Sequence, residues 1–198
     1  MTDLSLTRRS ALLSFGAVAA AVAMPRLARA VQATPPSDSI YRLQATLVDQ
    51  DGKEFQLASL QGTPVLASMF YTSCEMVCPM IFETVHSTLR ALPPPERSAL
   101  RMLMVSFDPP RDTPAVLKKY AEVHGCDGQW LLARGDEATA RKVAAVLNIQ
   151  DRRLTNGEFN HSTKIAVLDR QGRIAAQSGK LAAADPVLLN AVHKLFPA

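Results

Sequence analysis

Apolar and polar residues along this chain sort into short strand-like runs and longer helix-like ones, and the two kinds alternate. Residues 41–48 alternate apolar and polar side chains, Asp49-Gln50-Asp51-Gly52 supplies a turn, and residues 54–57 return, which predicts a β-hairpin. Residues 64–71 form an apolar run of strand length broken only by Ser68, the pattern of a strand buried on both faces. A helix is predicted over 77–92, stopped by Pro93-Pro94-Pro95. Residues 101–107 read as a second buried strand that ends at Asp108-Pro109-Pro110. Thr113-Pro114 opens another helix, with Thr as N-cap and Pro in the first helical position, and Gly125 stops it. Then come a short strand at 129–133 and an amphipathic helix at 136–147. A second hairpin has strands 164–168 and 173–177 around Asp169-Arg170-Gln171-Gly172, and Asp185 caps a last helix that runs to Phe196. Strands separated by helices predict an α/β layered domain, with parallel pairing where a helix crosses over.

Composition narrows the class. With 198 residues, 47% hydrophobic and 20% charged, the chain is too apolar for disorder and of a length for one domain plus a separable segment. Three cysteines are too few for a disulfide scaffold. The formal charge is +4, but Arg8, Arg9, Arg26 and Arg29 against Asp3 give residues 1–30 a net +3, leaving +1 for the rest. The basic lean belongs to the N-terminal segment, so no nucleic-acid partner is expected.

That segment has the parts of an export signal. Thr7-Arg8-Arg9-Ser10 precedes an apolar run over 11–24, and Ala28-Arg29-Ala30 offers small residues where a signal peptidase reads. As a helix the run would rise about 21 Å, short of a ~30 Å hydrocarbon core. The paired arginines resemble the bacterial twin-arginine signal. The expected organisation is a cleaved signal at 1–30, a flexible lead at 31–40 and one domain at 41–198, located in the periplasm. An uncleaved leader would tether it to the membrane.

Candidate chemistry lies where the first buried strand hands over to its helix. Thr72-Ser73-Cys74-Glu75-Met76-Val77-Cys78-Pro79 sets two cysteines four apart, so on a helical turn their sulfurs fall on one face. A helix N-terminus favours thiolate over thiol. Such a pair can close a disulfide or grip a soft metal, and an ordinary buried pair is the bland alternative. Glu75, beside Cys74, is expected to oppose its thiolate and raise its pKa. Met76 and Met80 bracket the pair and could offer thioethers, although a helical methionine usually packs. Among the histidines, His161, just before the strand at 164–168, is the candidate third participant or else a polar loop residue. His86 lies two helical turns beyond Cys78, His124 sits at a helix C-terminus and His193 reads as solvated. Cys126 reads as a spare buried thiol.

Three segments together resemble the Sco/SenC family. They are Cys74-Glu75-Met76-Val77-Cys78-Pro79, the stretch Ser106-Phe107-Asp108-Pro109-Pro110-Arg111-Asp112-Thr113-Pro114, and His161-Ser162 followed by Leu168-Asp169-Arg170-Gln171-Gly172-Arg173. The resemblance spans residues 43–196. It implies a thioredoxin-like three-layer α/β fold, with a central mixed sheet, an N-terminal β-hairpin and flanking helices. It also implies copper held by Cys74, Cys78 and His161, for assembly of the binuclear copper centre of cytochrome c oxidase. Partners would be the oxidase's copper-carrying subunit, another copper carrier or a periplasmic thiol reductant. Two thiolates and an imidazole suit Cu(I), whereas Cu(II) would need further oxygen or nitrogen donors.

Two function classes lead from this point. A metallochaperone would pass copper on by ligand exchange. A thiol–disulfide oxidoreductase would use Cys74 and Cys78 as redox pair, reducing the oxidase's cysteines or other periplasmic proteins. Thioredoxin-like reductases carry a proline facing the cysteines, but the matching place here, Ser162-Thr163-Lys164, has none, which favours metal. A peroxide-reducing enzyme would be better served by a single peroxidatic cysteine.

Overall fold

A computed structural model describes residues 34–196. The leader, its arginine pair and the Ala28-Arg29-Ala30 end lie outside the described residues.

The strands are β1 (Thr46–Asp49), β2 (Glu54–Gln56) and β3 (Val65–Phe70), followed by α1 (Val77–Ala91) and α2 (Pro94–Ala99). Next come β4 (Arg101–Ser106), α3 (Pro114–Val123), β5 (Trp130–Arg134) and α4 (Glu137–Val146). The chain closes with β6 (Asp151–Arg153), β7 (Phe159–His161), β8 (Ile165–Leu168), β9 (Ile174–Ser178) and α5 (Pro186–Lys194). Seven strands make one mixed sheet in the order β2-β1-β5-β4-β3-β8-β9, while β6 and β7 pair apart from it. β4 runs parallel to β3 and β5, and β1 and β8 join antiparallel. This is the thioredoxin-like α/β arrangement, with the hairpin β1–β2 at one edge.

Helix starts follow the sequence signals. Thr113, Asp136 and Asp185 each accept a backbone N–H of the first turn, and Pro114 and Pro186 stand where a missing N–H costs nothing. The triple proline ends α1 and then starts α2, an element not expected from the pattern. Every residue of β3 and β8 is buried, as unbroken apolar runs require in a sheet covered on both faces. α1 turns Cys78, Ile81, Phe82, Val85 and Leu89 into the core at helical spacing.

Two expectations are corrected. The first hairpin starts at Thr46, because residues Ile40–Arg42 form a 3-10 turn. The Ser39 hydroxyl accepts the Tyr41 N–H at 3.1 Å and donates to the Gln171 carbonyl, so the end of the expected flexible lead is packed. Gly172, at φ +77°, makes room for this: a Cβ there would lie 2.5 Å from the Tyr41 ring. The second correction concerns β6–β7. His161 ends a strand of its own, paired opposite Asp151. The segment Asp151-Arg152-Arg153-Leu154-Thr155-Asn156-Gly157-Glu158 is almost wholly polar, so it carries no hydrophobic period to read.

The register of β3 and β4 sets the stage for the site. Val65 faces Arg101 and Phe70 faces Ser106, so both strands end level, and their following loops emerge side by side. Crevices outside the carboxyl ends of parallel strands are where ligands bind in open α/β sheets.

Candidate metal centre

The loop after β3 is held from beneath by a buried carboxylate. Asp112, 1% exposed, accepts the Thr72 N–H at 3.2 Å and the hydroxyls of Thr72 and Ser106. Burial pushes its carboxyl above the ordinary range, while the Ser106 and Thr72 hydrogen bonds pull it down. The Cys74 N–H then turns back to the Tyr71 carbonyl at 3.2 Å, which places the Cys74 sulfur over the start of α1.

Met76, at the helix N-cap, makes no side-chain capping bond. Cys74 supplies the acceptor instead, its sulfur receiving the Cys78 N–H at 3.4 Å. The Cys78 thiol and the N–H groups of Cys78, Val77 and Met76 together outweigh burial and pull the Cys74 thiol down to about 4. Cys78 moves the opposite way, pushed up first as the donor to Cys74 and then by complete burial. The pair therefore holds one thiolate, on half-buried Cys74, and one proton, on Cys78. Glu75 was expected to raise Cys74; its side chain stands in solvent, where water screens it, and the helix N–H groups prevail.

His161 arrives from β7. Its Nε2 lies 3.8 Å from the Cys78 sulfur, and its Nδ1 lies 3.2 Å from the Ser162 carbonyl. A carbonyl can only accept, so the neutral ring carries its proton on Nδ1 and turns the Nε2 lone pair toward Cys78. The ring rests against Phe107 and Tyr71, at centroid distances of 4.9 and 6.0 Å. The Tyr71 hydroxyl also accepts the Phe159 N–H at 3.4 Å. Arg111 clamps the other end of the hairpin: it pairs with the buried Asp108 carboxylate and donates from Nη2 to the Gly157 carbonyl at 2.7 Å. Arg111 stands in a motif that the sequence singles out, yet its role in positioning the histidine could not be read there.

Among the described residues, Cys74, Cys78 and His161 are the group whose donor atoms could surround one ion, all lying within 4.8 Å of one another. A trigonal ion with bonds of about 2.0–2.3 Å sets its donors ~3.5–4 Å apart. The cluster fits that figure with small adjustment. It opens into a cleft of about 500 Å³ lined by Tyr71, Cys74, Glu75, Met76, His161 and Thr163.

The remaining candidates stand elsewhere. His86 faces the His124 carbonyl at 2.8 Å and packs at a tilt against Trp130, and His124 caps α3 against Tyr120. His193 is exposed, as expected, and its Nδ1 lies 2.7 Å from the Glu96 carboxylate. Cys126 is half-buried, its thiol pushed up to about 12 by burial and by Asp127, which makes it a poor nucleophile.

Comparison with known proteins gives a consistent picture. Residues 35–195 match the family model described as SCO1/SenC. A Stutzerimonas stutzeri protein provisionally named as copper-binding is 26% identical over 204 residues, covering 100% of this chain and 97% of that protein. The SCO1 protein homolog of Bacillus subtilis is 40% identical over 77 residues, 38% of this chain and 39% of its own. Among solved structures, Bradyrhizobium japonicum ScoI with copper bound superposes with a TM-score of 0.62 at 29% identity, covering 76% of this chain and 94% of its own.

Two outcomes follow from the geometry. In the reduced protein, iodoacetamide should alkylate Cys74 with a rate that holds from neutral pH down to pH 5 and falls only near pH 4, while Cys78 stays slow; the thiolate is lost as pH falls through the lowered pKa. A Cys74 rate that collapses between pH 9 and 8 would refute the shared-proton arrangement. Arg111→Ala should free the hairpin and weaken metal binding by about 10-fold with no change in Cys74 reactivity. An unchanged affinity would show that the clamp does not position His161.

Proposed function

The chain belongs to the SCO1/SenC family, and from that premise we propose that it is an exported copper carrier holding its ion on Cys74, Cys78 and His161. The observation that carries the reading is the convergence of two sulfurs and one imidazole nitrogen at the mouth of an open cleft. Cu(I) is soft and accepts low coordination, so these donors satisfy it, whereas Zn(II) would usually want a fourth. On binding, Cys78 gives up the proton that it shares with Cys74, and the ion takes that proton's place between the sulfurs. Half-exposed Cys74 and the open cleft leave one side of a three-coordinate ion reachable. An incoming thiolate or thioether can therefore add before an outgoing ligand leaves.

The recipient in this reading is the copper-carrying subunit of cytochrome c oxidase, and the setting is the periplasm, reached through the leader at 1–30. The lowered Cys74 pKa bears on the alternative, a thiol–disulfide oxidoreductase. An accessible thiolate beside a resolving thiol is the equipment such a reaction needs. The same stabilised thiolate, however, favours the dithiol over the disulfide, which makes the pair a weak electron donor. A pair that resists oxidation is one that stays ready for metal.

Competition of the reduced protein for Cu(I) against a calibrated chelator tests the reading. One ion per chain is expected, lost in Cys74→Ser/Cys78→Ser and held about 10–100-fold more weakly in His161→Ala, which should still form its disulfide. No competition, with the cysteines cycling readily, would favour the oxidoreductase. For the location, the mass of protein recovered from the periplasm should correspond to residues 31–198; a full-length mass in the membrane fraction would instead make the leader an anchor.

A further inference from the structure

The fold treats its methionines in two ways. Met69, Met102 and Met104 are packed in the core, each 1% exposed or less. Met76 and Met80 are 74% and 37% exposed, contrary to the expectation that helical methionines pack. Met76 lies between the two cysteines and Met80 two residues past Cys78, and neither belongs to the buried core. Leaving a long apolar side chain largely in water, as at Met76, is not what core packing would select.

The spacing gives the placement a chemical sense. Cys74, Met76, Cys78 and Met80 alternate from the loop before α1 into its first turn, so the chain carries two interleaved pairs, each four residues apart. Met76 has right-handed helical backbone angles, φ −112° and ψ −61°, and the i, i+4 relation therefore brings Met76 and Met80 to one face. At 100° per residue that face lies far round the helix from Cys78, which points into the core. Met76 also lines the cleft that holds Cys74 and His161. Met76 thus stands beside the Cys-Cys-His cluster, with Met80 partly exposed one helical turn further along. A thioether binds Cu(I) through a sulfur lone pair, with no proton to lose, and binds it more weakly than a thiolate does.

We propose that Met76 and Met80 form a weak Cu(I) entry site, from which the ion moves to Cys74, Cys78 and His161. This rests on the copper-carrier reading of the cluster. No electron changes hands: copper enters and leaves as Cu(I). Sulfur–copper bonds to the two thioethers form as the donor's bonds break. The Cys74 thiolate then displaces one thioether, Cys78 releases its proton to solvent as it binds, and His161 completes the site while the second thioether departs.

The test uses protein labelled with ¹³C in its methionine methyl groups and Ag(I), a closed-shell probe of Cu(I) chemistry. In Cys74→Ser/Cys78→Ser, where the thiolates are gone, Ag(I) should shift the Met76 and Met80 methyl signals together at one ion per chain, leaving Met69, Met102 and Met104 in place. The same titration on wild-type protein with its cysteines oxidised covers the case in which that variant does not fold. In stopped flow, Met76→Leu/Met80→Leu should take Cu(I) from a small chelate about tenfold more slowly than wild type. Unmoved methyl signals, or a wild-type loading rate, would overturn the entry site. So would slow loading from a protein donor alone, which would make the pair a docking contact. Failure of the carrier reading looks different: wild-type protein would not compete for Cu(I) at equilibrium even though the methionine signals move.

Discussion

The Asp112 carboxylate, buried behind the ends of β3 and β4, is the contact on which the geometry of the site depends. It accepts from Ser106 in β4 and from both the backbone and the hydroxyl of Thr72, so it ties the loop leaving β3 to the neighbouring strand. A carboxylate removed from water is stable only when donors replace the lost hydration, and here three do so. The consequence is positional. Thr72 is two residues before Cys74, and once it is fixed the Cys74 sulfur has to cap α1.

From that cap follows the electrostatic character of the cysteine pair. The orphan N–H groups of the first helical turn need an acceptor, and a sulfur anion supplies one. Cys78, buried in the helix's inward face, cannot carry a second charge so close to the first, and it keeps its proton. One proton shared by two sulfurs is a site prepared for a cation. A soft ion can take the proton's place between the sulfurs, which is the physical ground for the copper-carrier proposal.

The third donor depends on contacts of a different kind. The hairpin β6–β7 lies apart from the main sheet, and side chains rather than ladder hydrogen bonds hold it in place. Tyr71 and Phe107 meet its apolar end, and Arg111 reaches from Asp108 to the carbonyl of Gly157. Those three residues come from the loops that follow β3 and β4. The strand end that presents the cysteines and its neighbour β4 therefore also seat the histidine.

The sequence by itself determined the alternating strands and helices, the capped helix starts and the position of two cysteines at a strand-to-helix junction. Each rests on relations between residues two to four apart, and hydrophobic periodicity and capping record such relations directly. It also singled out His161 as a candidate, by residue type and by the motifs around it. What tertiary structure decided is whatever depends on distance in space without nearness in sequence. His161 meets Cys78 across 83 positions, and a polar hairpin with no hydrophobic period carries it there. The charge on Glu75 was visible in the sequence, but not that solvent would screen it while buried N–H groups faced Cys74. Nor could spacing alone show that Met76 stands in water and that Met80 is only partly covered. Burial is settled by what packs against a residue, and neither side chain joins the buried core.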